Sequence, residues 1–341
     1  PLSIEVVEQT PRRFGFGAEY STFDGLRLTG FWLHRNFLGG AERLRFNAEV
    51  AGIGGQGTGF GTNDDGIDYS LGVRFERPAT PKADIDLFSE FTLEHEDEQD
   101  YRSDTAEFTL GFTRYATEEL VVDFGVGYLY SDVTDDFGNE TYTLLTLPLG
   151  AVLDRRRNPF NSKDGYFLDL EVTPYKGLSG TADGILTELD ARGYESFGED
   201  EQFTLATRLQ FGSLAGADLL ETPPIYRFYS GGGGTVRGQD FESLAIELDN
   251  GRRSGGRSFF GLSLEARVGV RENIEVVTFY DYGYNGAESY PDFSGNSHAG
   301  AGIGFRYVTG IGPLRVDFAV PVSGDTDASN FYLYIGIGQA F

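Results

Sequence analysis

The stretch that most constrains this chain is its last, Phe331-Tyr-Leu-Tyr-Ile-Gly-Ile-Gly-Gln-Ala-Phe341. Apolar side chains stand at every second position (Phe331, Leu333, Ile335, Ile337), and the stretch ends on an aromatic. Successive side chains of a strand point to opposite faces, so this is a strand with one greasy face. Such an ending is expected of a transmembrane β-barrel, with the final Phe341 at the height of a membrane interface. A terminal strand in a soluble sheet could carry the same pattern, and the rest of the chain decides between them.

Composition favours the membrane. Aromatics make up 14% of the 341 residues, with 29 Phe and 19 Tyr, yet the mean hydropathy is slightly polar at -0.28. A barrel resolves that conflict, because lipid-facing apolar residues alternate with polar residues facing the lumen. No run approaches the ~18 consecutive apolar residues of a transmembrane helix. The chain has no Cys, which fits passage through an oxidising periplasm. It shows neither signal peptide nor initiator Met and reads as a mature or excised piece. The net charge of -26 disfavours nucleic acid as a partner, since Lys and Arg must neutralise phosphates. Acidic loops and an acidic lumen, or a salty habitat, are the plain readings, and a cationic partner is the alternative.

Period-two alternation recurs along the chain. In Gln202–Phe211, Phe203, Leu205, Leu209 and Phe211 share one face, against Thr204, Arg208 and Gln210. Leu120, Val122, Phe124, Val126, Tyr128 and Tyr130 form another apolar face. Leu262, Leu264 and Val268 oppose Ser263, Glu265 and Arg267; Leu314, Val316, Phe318 and Val320 oppose Arg315 and Asp317. Charges on the inner face suit a wet lumen and would ruin a sandwich core. Strands are expected from about residues 12, 25, 42, 66, 84, 101, 119, 140, 164, 183, 201, 257, 274, 297, 312 and 329. The fold class is therefore all-β, a 16-stranded antiparallel transmembrane β-barrel. Trp32, Phe341 and many Tyr are expected in the interfacial girdles.

Connections alternate in length, as barrels require. Short periplasmic turns fall at 116–118, 198–200 and 271–273; long outer ones at 53–65, 284–296 and above all 213–256. Two longer periplasmic turns, 34–40 and 154–165, carry Arg35, Arg155, Arg156, Arg157 and Lys163. Residues 1–10 do not alternate and read as the tail of a preceding periplasmic, POTRA-like domain, with the barrel at 11–341.

The long outer connection contains Gly231-Gly-Gly-Gly-Thr-Val-Arg-Gly-Gln-Asp-Phe241. A Gly-rich run can cradle phosphate, but no strand-to-helix unit follows. A mobile surface loop is the plain alternative, and a connection this long is more often functional. Val236-Arg237-Gly238 resembles the Val-Arg-Gly-Tyr/Phe motif of the BamA/TamA superfamily of outer-membrane assembly proteins. Ser263-Leu-Glu265-Ala-Arg267 and Phe279-Tyr-Asp281-Tyr-Gly283 match that superfamily's Ser-x-Glu-x-Arg and Phe-x-Asp-x-Gly strands, in the same order. Asp154-Arg-Arg-Arg-Asn-Pro, the run at 312–321 and the terminal Phe match too; the start, with Trp32-Leu-His-Arg-Asn, is most similar to the TamA branch. Gln239 departs from the pattern, standing where an aromatic is usual.

The resemblance implies that the long connection folds into the lumen, with Val236, Arg237 and Gly238 anchored at Glu265 and Asp281. An Arg fork suits two carboxylates at once. Scattered, water-solvated lumen charges are the alternative. It further implies a protein that inserts or secretes client barrels such as autotransporters. The implied partners are those clients, a periplasm-spanning inner-membrane (TamB-like) protein and outer-membrane lipid. No cofactor and no enzymatic activity are implied. Within the superfamily the alternatives are a general BamA-type insertase or a two-partner secretion pore; outside it, a passive diffusion porin.

Closure pairs the first strand with the last. Gly15 and Gly17 in one and Gly336 and Gly338 in the other mark a weak lateral seam, because glycine weakens a strand. Any gap is expected to be short and near one rim, since unpaired groups facing hydrocarbon are costly. Phe341 is expected to act as an insertion signal. Catalysis finds little support in three His (His34, His95, His298) and no Cys. The acidic strip His95–Glu98 with Asp100 could hold Ca²⁺ but reads more simply as a solvated outer loop.

Overall fold

The computed structural model describes residues 10–56, 59–61, 66–178, 180–248, 251–310, 312–327 and 329–341. Residues 1–9, nearly all of the expected preceding-domain tail, lie outside the described residues. Sixteen antiparallel strands close into one barrel. They are β1 (Arg12–Ser21), β2 (Gly25–His34), β3 (Arg43–Ile53), β4 (Asp68–Arg77), β5 (Ile85–Asp97), β6 (Tyr101–Tyr115) and β7 (Leu120–Asp135). Next come β8 in two segments (Gly138–Thr146 and Leu149–Asp154), β9 (Gly165–Leu178), β10 (Gly184–Phe197) and β11 (Phe203–Ala215). The last five are β12 (Ser258–Arg271), β13 (Ile274–Gly286), β14 (Asn296–Tyr307), β15 (Leu314–Ser323) and β16 (Tyr332–Ile337). Pro148, which lacks an N–H, splits β8. The ladder continues through the break, with Leu147 N–H donating to Pro174 O and Gly125 N–H to Pro148 O, each at 2.9 Å. The strand starts agree with the alternation; the largest offset is β16, expected from about 329 and beginning at Tyr332.

The alternation also sets the two faces. Leu205, Leu264 and Val126 are exposed on the outer face, whereas Thr204, Glu265 and Asp317 are buried inside. Trp32 sits on the outer face opposite Phe14 and packs on Phe46, ring centroids 5.6 Å apart. The tyrosines divide. Tyr20, Tyr128, Tyr280 and Tyr307 face outward, while Tyr101, Tyr142, Tyr175, Tyr194, Tyr332 and Tyr334 are buried within. The second group lies apart from the expected girdles, where an amphipathic ring can line the partly filled lumen.

That filling is the connection between β11 and β12. Ile225, Tyr226 and Phe228 pack on Leu129, Leu144, Tyr175 and Leu214. Ile225 and Tyr229 also pack on Tyr101, Val133 and Tyr142. A short antiparallel ribbon, Ile246–Glu247 with Arg253–Ser254, closes the connection on itself.

Two expectations about the closure are corrected. Phe341 does not face the membrane at the periplasmic rim but turns into the lumen. The chain turns at Gly338 (φ 111°), and Phe341 ends 7% exposed against the inward-facing Tyr194 and Ala206. The lumen offers the ring an aromatic neighbour and Arg267, 5.6 Å from its centroid. Nor is the gap at the seam short. β1 registers with β16 at three positions only, Glu19↔Gly336, Tyr20↔Ile335 and Ser21↔Tyr334, against ten with β2.

Candidate functional site

The connection reaches its anchor through close backbone approach. Gly238 adopts φ 88°, and a Cβ there would lie 2.6 Å from Val320 O. Gly283 and Gly300 leave the matching room: a Cβ on Gly283 would meet Val236 at 2.9 Å, and one on Gly300 would collide with Arg237 O. Glycine alone tolerates both the positive φ and the contact.

Arg237, only 2% exposed, is thereby placed among three carboxylates. Its Nε donates to Asp281 Oδ2 at 2.8 Å and its Nη2 to Asp281 Oδ1 at 3.1 Å. Nη1 donates to Glu265 Oε1 at 2.8 Å and to Asp317 Oδ2 at 3.2 Å. The guanidinium carbon lies over the Phe279 ring, 3.6 Å from its centroid. In the Phe-x-Asp-x-Gly strand, Phe279 is thus the floor, Asp281 the fork partner and Gly283 the clearance. Arg237, Glu265 and Asp281 thus lie together in the lumen.

The network is larger than the trio. Arg267 donates from Nε to Glu265 Oε2 at 2.8 Å. Arg306 pairs with Asp317 through both Nη atoms. Arg315 sits 3.9 Å from Asp317 and pairs with Glu19 of β1. Buried charge is tolerated only when paired in this way. Neither alternation nor motif assigns a role to Asp317, Arg306 or Arg315. The signal was present, since Arg315 and Asp317 fall on the inner face of an otherwise apolar strand.

Gln239, at the position usually aromatic, is fully buried. Its Nε2 donates to Ala299 O at 2.7 Å and Ser323 O at 2.8 Å, lacing the connection to β14 and β15. Asn285 does likewise, donating to Phe228 O at 2.7 Å and Leu244 O at 3.0 Å. Ser230 of the connection and His298 of β14 meet at 2.9 Å, both buried, which gives the pair a lacing role.

At the seam, the four glycines have separate places. Gly15 and Gly17 face inward on β1, and a Cβ on Gly15 would run into the Phe31 ring, which Arg45 covers at 4.4 Å. Gly336 lies between Arg315 and Glu19; a Cβ there would stand 3.4 Å from Arg315 Nη2 and 3.5 Å from Glu19 Oε1. Gly338 is outside the ladder and serves as the pivot, its N–H donating to Pro313 O at 2.7 Å. From there Gln339 accepts from Arg306 Nε at 3.1 Å and donates to Asn161 Oδ1 at 2.9 Å.

The cationic turn at 154–165 is neutralised by its surroundings. Arg155 pairs with Glu119 at 2.6 Å, Arg156 with Asp154 at 2.8 Å, Arg157 with Asp164 and Glu201, and Lys163 with Glu275. In the acidic strip, His95 bonds Asp104 at 2.7 Å and Arg102 pairs with Asp97 at 3.0 Å. Among the described residues no group of three or more metal-type ligands gathers.

The fold is similar to several solved barrels. It matches BamA from Haemophilus ducreyi lacking POTRA domains 1–3 with a TM-score of 0.77 at 16% identity, covering 97% of this chain and 71% of that one. CdiB from Acinetobacter baumannii matches at 0.66 and 15% identity, covering 97% and 60%. CdiB from Escherichia coli matches at 0.63 and 12% identity, covering 98% and 64%. This chain thus spans under two thirds of the length of either CdiB. The Omp85 superfamily domain matches residues 36–341, and the chain belongs to that superfamily as an integral outer-membrane β-barrel.

Proposed function

We propose that this barrel inserts or translocates other outer-membrane proteins by opening between β1 and β16. One observation carries the reading: three registered pairs join these strands, leaving Arg12–Ala18 of β1 without a seam partner among the described residues. Backbone groups left open at membrane depth are costly, and an extended segment adding to the free edge would satisfy them. The outer face along that edge is apolar, with Phe14 62% and Phe16 86% exposed. An incoming strand with a lipid-facing stripe matches it.

The finer reading is a TamA-type factor. Its clients would be barrels such as autotransporters, and its partner a TamB-like protein spanning the periplasm; a POTRA-like domain would precede Thr10. The similarity of the first strands to that branch supports it. The likeness in fold to CdiB supports a second reading, a pore that secretes one partner protein. A diffusion porin fits poorly, because the connection from β11 to β12 packs inside the barrel. Phe341 would act as an insertion signal before the barrel closes, when its ring is still free.

The test is a lock. Tyr20→Cys with Ile335→Cys places two thiols on registered neighbours in a chain without other Cys. The oxidised barrel is expected to stop assembling clients and to recover on reduction. Normal assembly by the locked barrel would sink lateral opening. Single-channel recording separates the porin, which would show a steady large pore, from a mostly closed barrel with erratic openings.

A further inference from the structure

Three parts of the molecule that need not move together converge on one carboxylate. Asp317 on β15 is fully buried. It accepts from Arg237 of the long connection at 3.2 Å. It pairs with Arg306, whose Nε holds Gln339 of the inward-turned tail at 3.1 Å. It lies 3.9 Å from Arg315, whose Nη2 pairs with Glu19 across the seam. Two glycines clear the way. A Cβ on Gly304 would collide with Asp317 Oδ1 and sit 2.7 Å from Arg306 Nη1, and Gly336 opens the line from Arg315 to Glu19.

We propose that Asp317 is the positioning residue that couples the long connection to the seam, by holding Arg306 on the tail and Arg315 on Glu19 only while Arg237 is docked. The proposal rests on the reading that the seam opens. Its chemistry is that of a shared acceptor. With Arg237 in place, four guanidinium groups (Arg237, Arg267, Arg306, Arg315) face four carboxylates (Glu19, Glu265, Asp281, Asp317). Withdrawing Arg237 leaves Asp281 short of a cation and Glu265 with Arg267 alone, and Arg306, 3.7 Å from Glu265 Oε1, can swing toward them. That swing drops Gln339 and pulls on Asp317, so Arg315 loses its support beside Glu19. The fork of each Arg makes such exchanges stepwise rather than gradual. A shared element that both sites bias is what coupling requires.

The experiment uses the full chain in membranes, with two readouts. Seam closure is the cross-linking rate of Tyr20→Cys with Ile335→Cys. Tail release is labelling of Ala340→Cys by a soluble maleimide, in a separate variant. Asp317→Asn is expected to slow the first and speed the second together, each by roughly fivefold or more. Glu19→Gln is expected to slow cross-linking alone, and the double variant Asp317→Asn/Glu19→Gln to be no slower than the worse single one. Asp281→Asn, which loosens Arg237 without touching Arg306 or Arg315, is expected to expose residues 231–241 to protease and, through the undocked Arg237, to shift both readouts in the same directions as Asp317→Asn. If Glu19→Gln slows cross-linking and Asp317→Asn does not, the coupling is overturned and the seam survives. Asp281→Asn that exposes residues 231–241 yet leaves both readouts at the wild-type rate also overturns the coupling. Equal rates in all variants and wild type overturn both. Should Asp317→Asn not fold, judged by heat-modified gel mobility, Asp317→Glu takes its place with the same readouts.

Discussion

β1 has two edges of unlike construction. Toward β2 it registers over ten residues, Arg12↔His34 to Ser21↔Gly25, and the Phe31 ring lies against Gly15 beneath the Arg45 guanidinium. Toward β16 it registers over three, all at the end where the long connection enters, with Thr22 N–H adding one bond to Leu333 O at 3.1 Å. What the second edge lacks in backbone it replaces with a side-chain pair, Glu19 to Arg315 over Gly336, while Tyr334 OH, accepting from Gly238 N–H at 3.1 Å, ties β16 to the connection. A ladder is released only bond by bond along its length. A side-chain fastening can be released at one point, and that is the property a gated edge needs.

The largest effect expected from breaking this contrast is that of Arg237→Ala. Removing one partner of a buried ionic network costs ~3–5 kcal/mol, and here Asp281, Glu265 and Asp317 all lose a donor. The connection should become open to protease between residues 231 and 241, and the unfolding temperature in detergent should fall. The β1–β2 edge, which the anchor does not touch, should keep its slow amide exchange. Faster exchange there would mean that the two edges are not independent.

Much of this was legible in the chain. Alternation located the strands because lipid on one side and a filled lumen on the other impose the period directly. The Arg237 anchor was legible only through the resemblance of Val236-Arg237-Gly238 to a known motif; the residues alone added that Asp281, a lone carboxylate in an aromatic strand, needs a partner. What stayed hidden depended on chain pairs distant in sequence. Nothing near Phe341 tells that Tyr194 and Ala206 form a better seat than the rim. The apolar inner wall at Leu129, Leu144 and Leu214 breaks the strict alternation, and its meaning appears only once Ile225 and Phe228 are seen upon it. The length of the gap was misjudged because cost per unpaired group was weighed without the tail turning inward at Gly338.

A paired substitution sharpens the contrast at intermediate size. Gly15→Val on the ladder edge forces a branched side chain against Phe31, and overpacking of this kind costs ~1–3 kcal/mol. It should lower barrel stability and leave Tyr20–Ile335 cross-linking near the wild-type rate. Gly336→Val on the fastened edge meets only the ends of Arg315 and Glu19, which can give way. It should leave stability nearly unchanged and slow the cross-link. Equal effects on both readouts in both variants would remove the distinction between the edges.

The smallest effect concerns pH, and it tests whether the fastened end depends on the connection being docked. Glu242 of the connection is half-buried and its carboxyl is pushed up to about 8, first by desolvation and then by the charges of Glu96, Asp100 and Asp68, with Arg253 opposing. Glu98, in the turn between β5 and β6, is raised for the same first reason and by Glu242 itself. A carboxyl whose folded value is raised binds more protons folded than unfolded. Its contribution is therefore complete below its ordinary value of 4.5 and is lost as pH rises to about 8. The limit is ~1.4 kcal/mol per pH unit for one group, and with partial exposure we expect a total of about 1 kcal/mol. Protease cleavage near residue 242 should thus rise between pH 5 and 9, and cross-linking of the fastened end should slow slightly, whereas the β1–β2 edge stays constant. Glu242→Gln should flatten both curves. A cleavage rate that falls across that range would place the charge of Glu242 on the stabilising side and reverse the sign argued for the acidic end of the barrel.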